Sequence, residues 1–126
     1  MYEIGVVAQF EAAHQLVGDF GPATRLHGHT YRLEVEVRGE RLQQDGTLFD
    51  IGRLRALVDD LTAELHYRNL DDVPGLAGLN TTAENVADYC WERLAISLHG
   101  ANLSALLVRV WESPQVYAAR DDALIS

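Results

Sequence analysis

At 126 residues, 48% of them hydrophobic and 23% charged, the chain is expected to form one folded domain over residues 1–126, and this composition argues against intrinsic disorder. Nineteen acidic residues against ten basic ones give a formal net charge of −9, which argues against nucleic acid or an anionic membrane as the main partner. No apolar run approaches the roughly 18 residues that span a bilayer, so we expect a cytoplasmic enzyme or binding domain.

The first predicted element is a strand from Tyr2 to Ala13, in which apolar and polar residues alternate. It begins at once and carries an acidic residue, Glu3, which is unlike a signal peptide. Residues i and i+2 of a strand point to the same face, so His14 is expected at the end of the apolar face. A glycine- and proline-containing loop is predicted from Gln15 to Thr24.

The second predicted strand covers residues 29–39 and follows two histidines that are one residue apart, His27 and His29. If the strand starts by His27, both imidazoles project from its apolar face, as His14 does from the first strand. Three neutral imidazoles can bind zinc and leave a fourth position open, which is the arrangement of catalytic rather than structural zinc sites. The sequence therefore predicts a Zn²⁺ site on His14, His27 and His29.

Two helices are predicted next. After a turn at 44–46 and a short extended piece at 47–49, Asp50 caps a helix whose apolar residues recur every three or four positions up to Leu65. Residues 66–80 are predicted to be an irregular connector. Thr81 and Glu84 have the spacing of a capping box and open the second helix, which Gly100 ends. The single cysteine, Cys90, lies on the buried stripe of that helix, where we expect it to act as a small hydrophobic residue.

Two more strands are predicted, from Leu103 to Glu112 and from Val116 to Arg120, with Pro114 between them. The order β-β-α-α-β-β predicts an α+β fold, with a four-stranded antiparallel sheet and both helices on one face. Glu112 continues the parity of the apolar residues before it. Because such a sheet leaves open edges, we expect several subunits to join their sheets into a closed barrel.

These residues together resemble the 6-pyruvoyl-tetrahydropterin synthase and 6-carboxy-tetrahydropterin synthase family. The shared segments are residues 10–14, 26–31, 49–50, 70–74, 82–85 and 111–113. The resemblance implies a tunnelling fold, in which trimers close a barrel and often pair into hexamers. It also implies a reduced pterin substrate, such as 7,8-dihydroneopterin triphosphate or a relative, on a route to tetrahydrobiopterin or queuosine.

The resemblance implies roles for individual residues as well. Zinc on the three histidines would hold the side-chain hydroxyls of the pterin, and Glu112 would hold its ring. Thr82 and Glu84, where the second helix begins, are implied as substrate-binding residues.

The chain departs from the family pattern at three proton-handling positions. The family's cysteine, four residues before the first histidine of H-G-H, is Ala23 here, and its Asp-His pair is replaced by His66 and Tyr67. Because a histidine side chain can gain or lose a proton near neutral pH, His66 is then the candidate base and Tyr67 the candidate proton donor, and Glu112 is a third catalytic candidate.

Three functions stay open at this point. The first is a zinc-dependent lyase that acts on dihydroneopterin triphosphate or a related dihydropterin with rearranged acid–base groups. The second is a zinc- and pterin-binding protein with little turnover. The third is an unrelated zinc hydrolase that uses water at the open zinc position.

Overall fold

The computed structural model describes residues 1–124 and has an α+β fold. The two helices are α1 (Ile51–Leu65) and α2 (Ala83–Leu98). The five strands are β1 (Tyr2–His14), β2 (His27–Gly39), β3 (Arg68–Asn69), β4 (Ala105–Ser113) and β5 (Val116–Ala123). Both predicted helices and all four predicted strands are therefore confirmed. Neither helix in this part of the chain is long and apolar enough to cross a membrane.

The sheet has one strand more than predicted, in the order β3-β1-β2-β4-β5. Four of its strands are antiparallel neighbours, but β3 runs parallel to β1, with Ala12 opposite Arg68 and Ala13 opposite Asn69. The prediction of a four-stranded, purely antiparallel sheet is therefore wrong, and so is that of a wholly irregular connector over 66–80. A strand of two residues is too short to show the alternation of apolar and polar residues from which a strand is predicted.

One face of the sheet and the inner sides of both helices form a single hydrophobic core. Its largest fully buried side chains include Phe10 and Tyr31 from the sheet and Leu54 from α1. Trp91 ties α2 to the sheet, because its indole N–H donates to the backbone carbonyl of Leu106 at 2.8 Å. Cys90 is fully buried, and burial raises the pKa of its thiol to about 12, so it is the inert hydrophobic residue that was expected.

The predicted N-terminal cap is correct for α1 and wrong for α2. At α1 the carboxylate of Asp50 accepts hydrogen bonds from the backbone N–H groups of Gly52 and Arg53, as expected of a cap. At α2 the cap is Thr82, which accepts from the N–H of Asn85 at 3.2 Å. The predicted capping box is therefore wrong by one residue, because Thr81 is held elsewhere.

Candidate metal centre

Three histidines converge at the end of the sheet where β1 and β2 pair. In the antiparallel register His14 lies opposite His27, and Ala12 lies opposite His29. The three side chains therefore share one face of the sheet, as their parity predicted. Their ring centroids are 4.5, 4.8 and 5.1 Å apart, and one ligand nitrogen from each lies within 4.8 Å of the others.

Hydrogen bonds to backbone carbonyls fix two of the three rings. His14 Nδ1 donates to the carbonyl of Thr81 and His27 Nδ1 donates to the carbonyl of Arg25, each at 2.7 Å. A carbonyl oxygen only accepts, so Nδ1 carries the proton and Nε2 presents a lone pair. In His14 this Nε2 is buried and has no hydrogen-bond partner within residues 1–124, so a metal ion would satisfy it.

The donor set fits a transition metal with an open coordination position. Three imidazole ligands are what catalytic zinc sites use, with the fourth position left to water or substrate. Imidazole also suits copper, iron and nickel, so the ligands themselves identify a class of metal rather than zinc alone.

Asp71 braces the backbone behind His14. Its two carboxylate oxygens accept from the Thr81 hydroxyl at 2.7 Å and from the N–H of Gln15 at 2.9 Å. The same Thr81 presents its carbonyl to the imidazole of His14. Asp71 therefore connects the end of β1 to the start of α2 and holds His14 between them. Sequence reasoning missed this role, because only the fold brings these segments together.

Glu112 lies beside the cluster, where its parity in β4 placed it. Its Oε2 is 3.2 Å from His29 Nε2, although the contact does not have hydrogen-bond geometry. Burial lowers the pKa of His29, the charges of His14 and His27 lower it further, and Glu112 partly opposes this by raising it. The net effect favours the neutral imidazole, which is the form that binds a metal.

Tyr31 is fully buried next to the histidines. Its ring centroid is 5.3 Å from that of His29 and 6.0 Å from that of His14. Burial, followed by the carboxylates of Glu112 and Asp71, raises the pKa of its phenol above the usual range. The hydroxyl therefore stays protonated, and sequence reasoning assigned it no role beyond the core.

His66 and Tyr67 lie beside β1, between α1 and β3, where the backbone N–H of Tyr67 donates to the carbonyl of Glu11 at 2.6 Å. His66 Nδ1 accepts from the backbone N–H of Glu11 at 3.0 Å, and the two rings pack on each other with centroids 3.8 Å apart. Tyr67 is 80% exposed and lines a cavity of about 500 Å³ together with His29 and with Glu11 and Thr30, whose side chains belong to the opposite face of the sheet. Neither ring bonds to the three histidines in the described range, and their catalytic roles stay predictions.

The remaining candidates are placed as follows. Thr82 is the cap of α2, and Glu84 is exposed in the first turn of that helix. Ala23 lies in a short 3₁₀ turn, Gly21–Thr24, where its carbonyl accepts from the N–H of Leu16 at 3.0 Å. The substrate-binding roles of Thr82 and Glu84 also stay predictions.

Comparison with known proteins points to one group. A family model described as 6-pyruvoyl tetrahydropterin synthase matches residues 3–122. The chain is 31% identical over 137 residues to 6-carboxy-5,6,7,8-tetrahydropterin synthase of Haemophilus influenzae, covering 90% of this chain and 94% of that protein. It is 35% identical over 105 residues to dihydroneopterin monophosphate aldolase of Pyrococcus furiosus, covering 83% and 84%. Its fold matches 6-pyruvoyl tetrahydropterin synthase of Caenorhabditis elegans with a TM-score of 0.82, at 28% identity and over 96% and 95% of the two chains.

Proposed function

The chain belongs to the 6-pyruvoyl tetrahydropterin synthase family, and from this premise we propose that it is a metal-dependent lyase that acts on the side chain of a reduced pterin. The observation that carries the proposal is the convergence of three imidazoles beside the carboxylate of Glu112. When bound, zinc would polarise the hydroxyl groups that it contacts and lower their pKa.

The proposal gives each residue near the cluster a task. His14, His27 and His29 hold the metal, and Asp71 keeps His14 in place. Glu112 accepts two parallel hydrogen bonds from the amino-pyrimidine edge of the pterin, since a carboxylate has two oxygens with free lone pairs. The metal and the ring anchor would then bind the two ends of the same small molecule.

Thr82 and Glu84 are proposed to contact the substrate from the start of α2. The hydroxyl of Thr82 accepts from Asn85 and keeps its own proton free to donate, so capping does not prevent this contact. Glu84 is exposed, and its carboxylate is free to accept hydrogen bonds from a ligand above the helix.

We propose that His66 and Tyr67 carry out the proton transfers in place of the family's cysteine and Asp-His pair. Because His66 Nδ1 accepts from Glu11, the neutral ring carries its proton on Nε2 and can donate it to a substrate there. As a base, His66 would first have to release the N–H of Glu11. Tyr67, which is largely exposed, is the freer of the two to reach a ligand.

Since neither group makes a hydrogen bond to the histidine cluster of its own chain in the described residues, we propose that a second subunit completes the site in a homotrimer or homohexamer. The sheet edges support such an assembly. β3 covers β1 only at Ala12 and Ala13, and β5 is the opposite edge of the sheet. Paired edges between subunits would close a barrel and remove both exposed edges.

The proposed substrate is a dihydropterin, with weak 6-pyruvoyl-tetrahydropterin synthase activity because the thiol and both its partners are replaced. Removing an activated base typically costs ~10²–10⁴ in rate. The aldolase relative favours one alternative to elimination, which is cleavage of the side chain of dihydroneopterin monophosphate.

The test is incubation of zinc-loaded protein with dihydroneopterin triphosphate, its monophosphate and free dihydroneopterin, followed by mass spectrometry of the products. We expect conversion of at least one substrate, with little 6-pyruvoyl product from the triphosphate. Binding without turnover would favour the pterin-binding protein instead. The proposal would be contradicted if the protein neither bound nor converted any of the three compounds.

A further inference from the structure

Three buried polar atoms without a partner lie together at the candidate metal centre. They are His14 Nε2, His29 Nε2 and the hydroxyl of Tyr31, none of which has a hydrogen-bond partner within residues 1–124. Since a buried polar group is normally paired, this clustering points to a ligand rather than to three separate defects.

A metal ion would satisfy only part of this cluster. A cation takes the lone pairs of the two nitrogens, but it cannot accept the proton of a hydroxyl group. The O–H of Tyr31 therefore needs an acceptor atom that the metal does not supply.

Neighbouring carboxylates do not meet this need. Both oxygens of Asp71 already accept, from Thr81 and from Gln15. Glu112 lies on the same face of the sheet as Tyr31. Arg32 pairs with Trp111 in the antiparallel ladder, so the next residues, Tyr31 on β2 and Glu112 on β4, come opposite each other. Its carboxylate turns to His29, at 3.2 Å, and makes no hydrogen bond with Tyr31 in the described residues.

The ring of Tyr31 is also held in place. It stacks on Phe10 with centroids 4.9 Å apart and an interplanar angle of 9°, and it is nearly perpendicular to the neighbouring rings of His14 and His29. The hydroxyl is thus a positioned donor at the edge of the cluster.

We propose that the hydroxyl of Tyr31 is a ligand-binding group, which donates a hydrogen bond to an oxygen atom of the molecule that binds at the metal. The identity of the natural ligand rests on the proposed function. In a reduced pterin, the accepting atom is an oxygen of the hydroxylated side chain. Tyr31 would then favour pterins with a hydroxylated side chain over those without one.

The test compares zinc-loaded wild type with Tyr31→Phe and with a matched control, Tyr89→Phe. Tyr89 has a hydroxyl that accepts from Arg93 at 2.6 Å, away from the histidines. Two probes are titrated by calorimetry, namely acetohydroxamate, which binds zinc through oxygen without any pterin, and neopterin. A lost hydrogen bond should weaken both probes about two- to tenfold in Tyr31→Phe and leave Tyr89→Phe unchanged, at equal zinc content.

Melting of the metal-free proteins gives a second readout. Phenylalanine removes an unpaired buried hydroxyl, so the melting temperature of Tyr31→Phe should equal or exceed that of wild type. A lower melting temperature would mean that the hydroxyl has a partner inside the protein, and it would overturn the inference. Unchanged affinity of Tyr31→Phe for acetohydroxamate would also overturn the inference. If the wild type binds acetohydroxamate but no pterin, the proposed function fails, while the acetohydroxamate result still decides the role of Tyr31.

Discussion

The chemistry at the residue scale depends on which ring nitrogen is free. Thr81 and Arg25 each accept from Nδ1 of a histidine, and so leave Nε2 to a metal. The polar neighbour of His29 is Glu112, whose Oε2 lies 3.2 Å from its Nε2. His14 and His27 are thus held by the same kind of hydrogen bond and His29 is not, although all three lie on one face of two adjacent strands.

The first prediction is that His27→Ala and His29→Ala each abolish stoichiometric zinc binding. One zinc per chain is expected in wild type, at nitrogen distances of about 2.0–2.1 Å, and two imidazoles cannot replace three. Metal analysis after dialysis measures this. The control is His99→Ala, since His99 is exposed at the end of α2, and it should keep full zinc. Full occupancy in His29→Ala would remove that residue from the site.

The second prediction concerns Glu112→Gln, which keeps the volume of the side chain and removes its charge. A hydrogen bond to a charged group contributes about 1.5–3 kcal/mol, so pterin affinity should fall about ten- to a hundredfold. Zinc should stay bound, because Glu112 is not among the three ligands. Calorimetry with neopterin measures the affinity, and an unchanged value would exclude Glu112 as the ring anchor.

At the scale of elements, strands were predictable wherever alternation lasted long enough. β1, β2 and β4 each carry a run of residues with one apolar face, and that parity also gave the correct side for His14, His29 and Glu112. The two residues of β3 carry no such pattern, and they pair with β1 only because α1 delivers the chain to that edge. The cap of α2 could not be chosen between Thr81 and Thr82 from sequence, since the hydroxyl bond of Thr81 to Asp71 decides it.

The connection between α1 and β3 contains a strained residue. Tyr67 has φ of +59°, and within residues 1–124 every other residue with positive φ is a glycine. A left-handed conformation costs a residue with a β-carbon roughly 1–2 kcal/mol. The side chain of Tyr67 is largely exposed, so the strain has a functional explanation if Tyr67 serves a ligand.

The third prediction follows from that strain. Tyr67→Gly should be more stable than Tyr67→Ala by about 1 kcal/mol, because both variants lose the ring but only glycine adopts positive φ freely. The comparison is made by urea denaturation. The same pair of substitutions at Arg55, exposed in the middle of α1, should give the opposite order, since glycine disfavours a helix. Equal stability of the two Tyr67 variants would mean that the backbone there is not strained.

At the scale of the whole molecule, the family and its α+β architecture could be inferred from sequence, because the motifs span most of the chain. The position of His66 and Tyr67 relative to the histidine cluster could not be inferred from sequence. Alignment places those two residues at the family's Asp-His positions, but it does not say on which side of the sheet they lie. In the structure Tyr67 and His29 line the same cavity, which Glu11 and Thr30 from the opposite face of the sheet also line.

The last prediction tests whether neighbouring copies complete each other's sites. Light scattering should give three or six times the 14.0 kDa mass of one chain. If the metal comes from one subunit and Tyr67 from another, His29→Ala and Tyr67→Phe should each be inactive alone. Mixed after partial denaturation and refolding, the two variants should regain a fraction of wild-type activity, because some sites then combine an intact cluster with an intact tyrosine. A double variant carrying both changes in one chain, mixed with inactive His29→Ala, has no route to an intact site and is the control. A monodisperse monomer, or no recovery in the mixture, would mean that each chain works by itself.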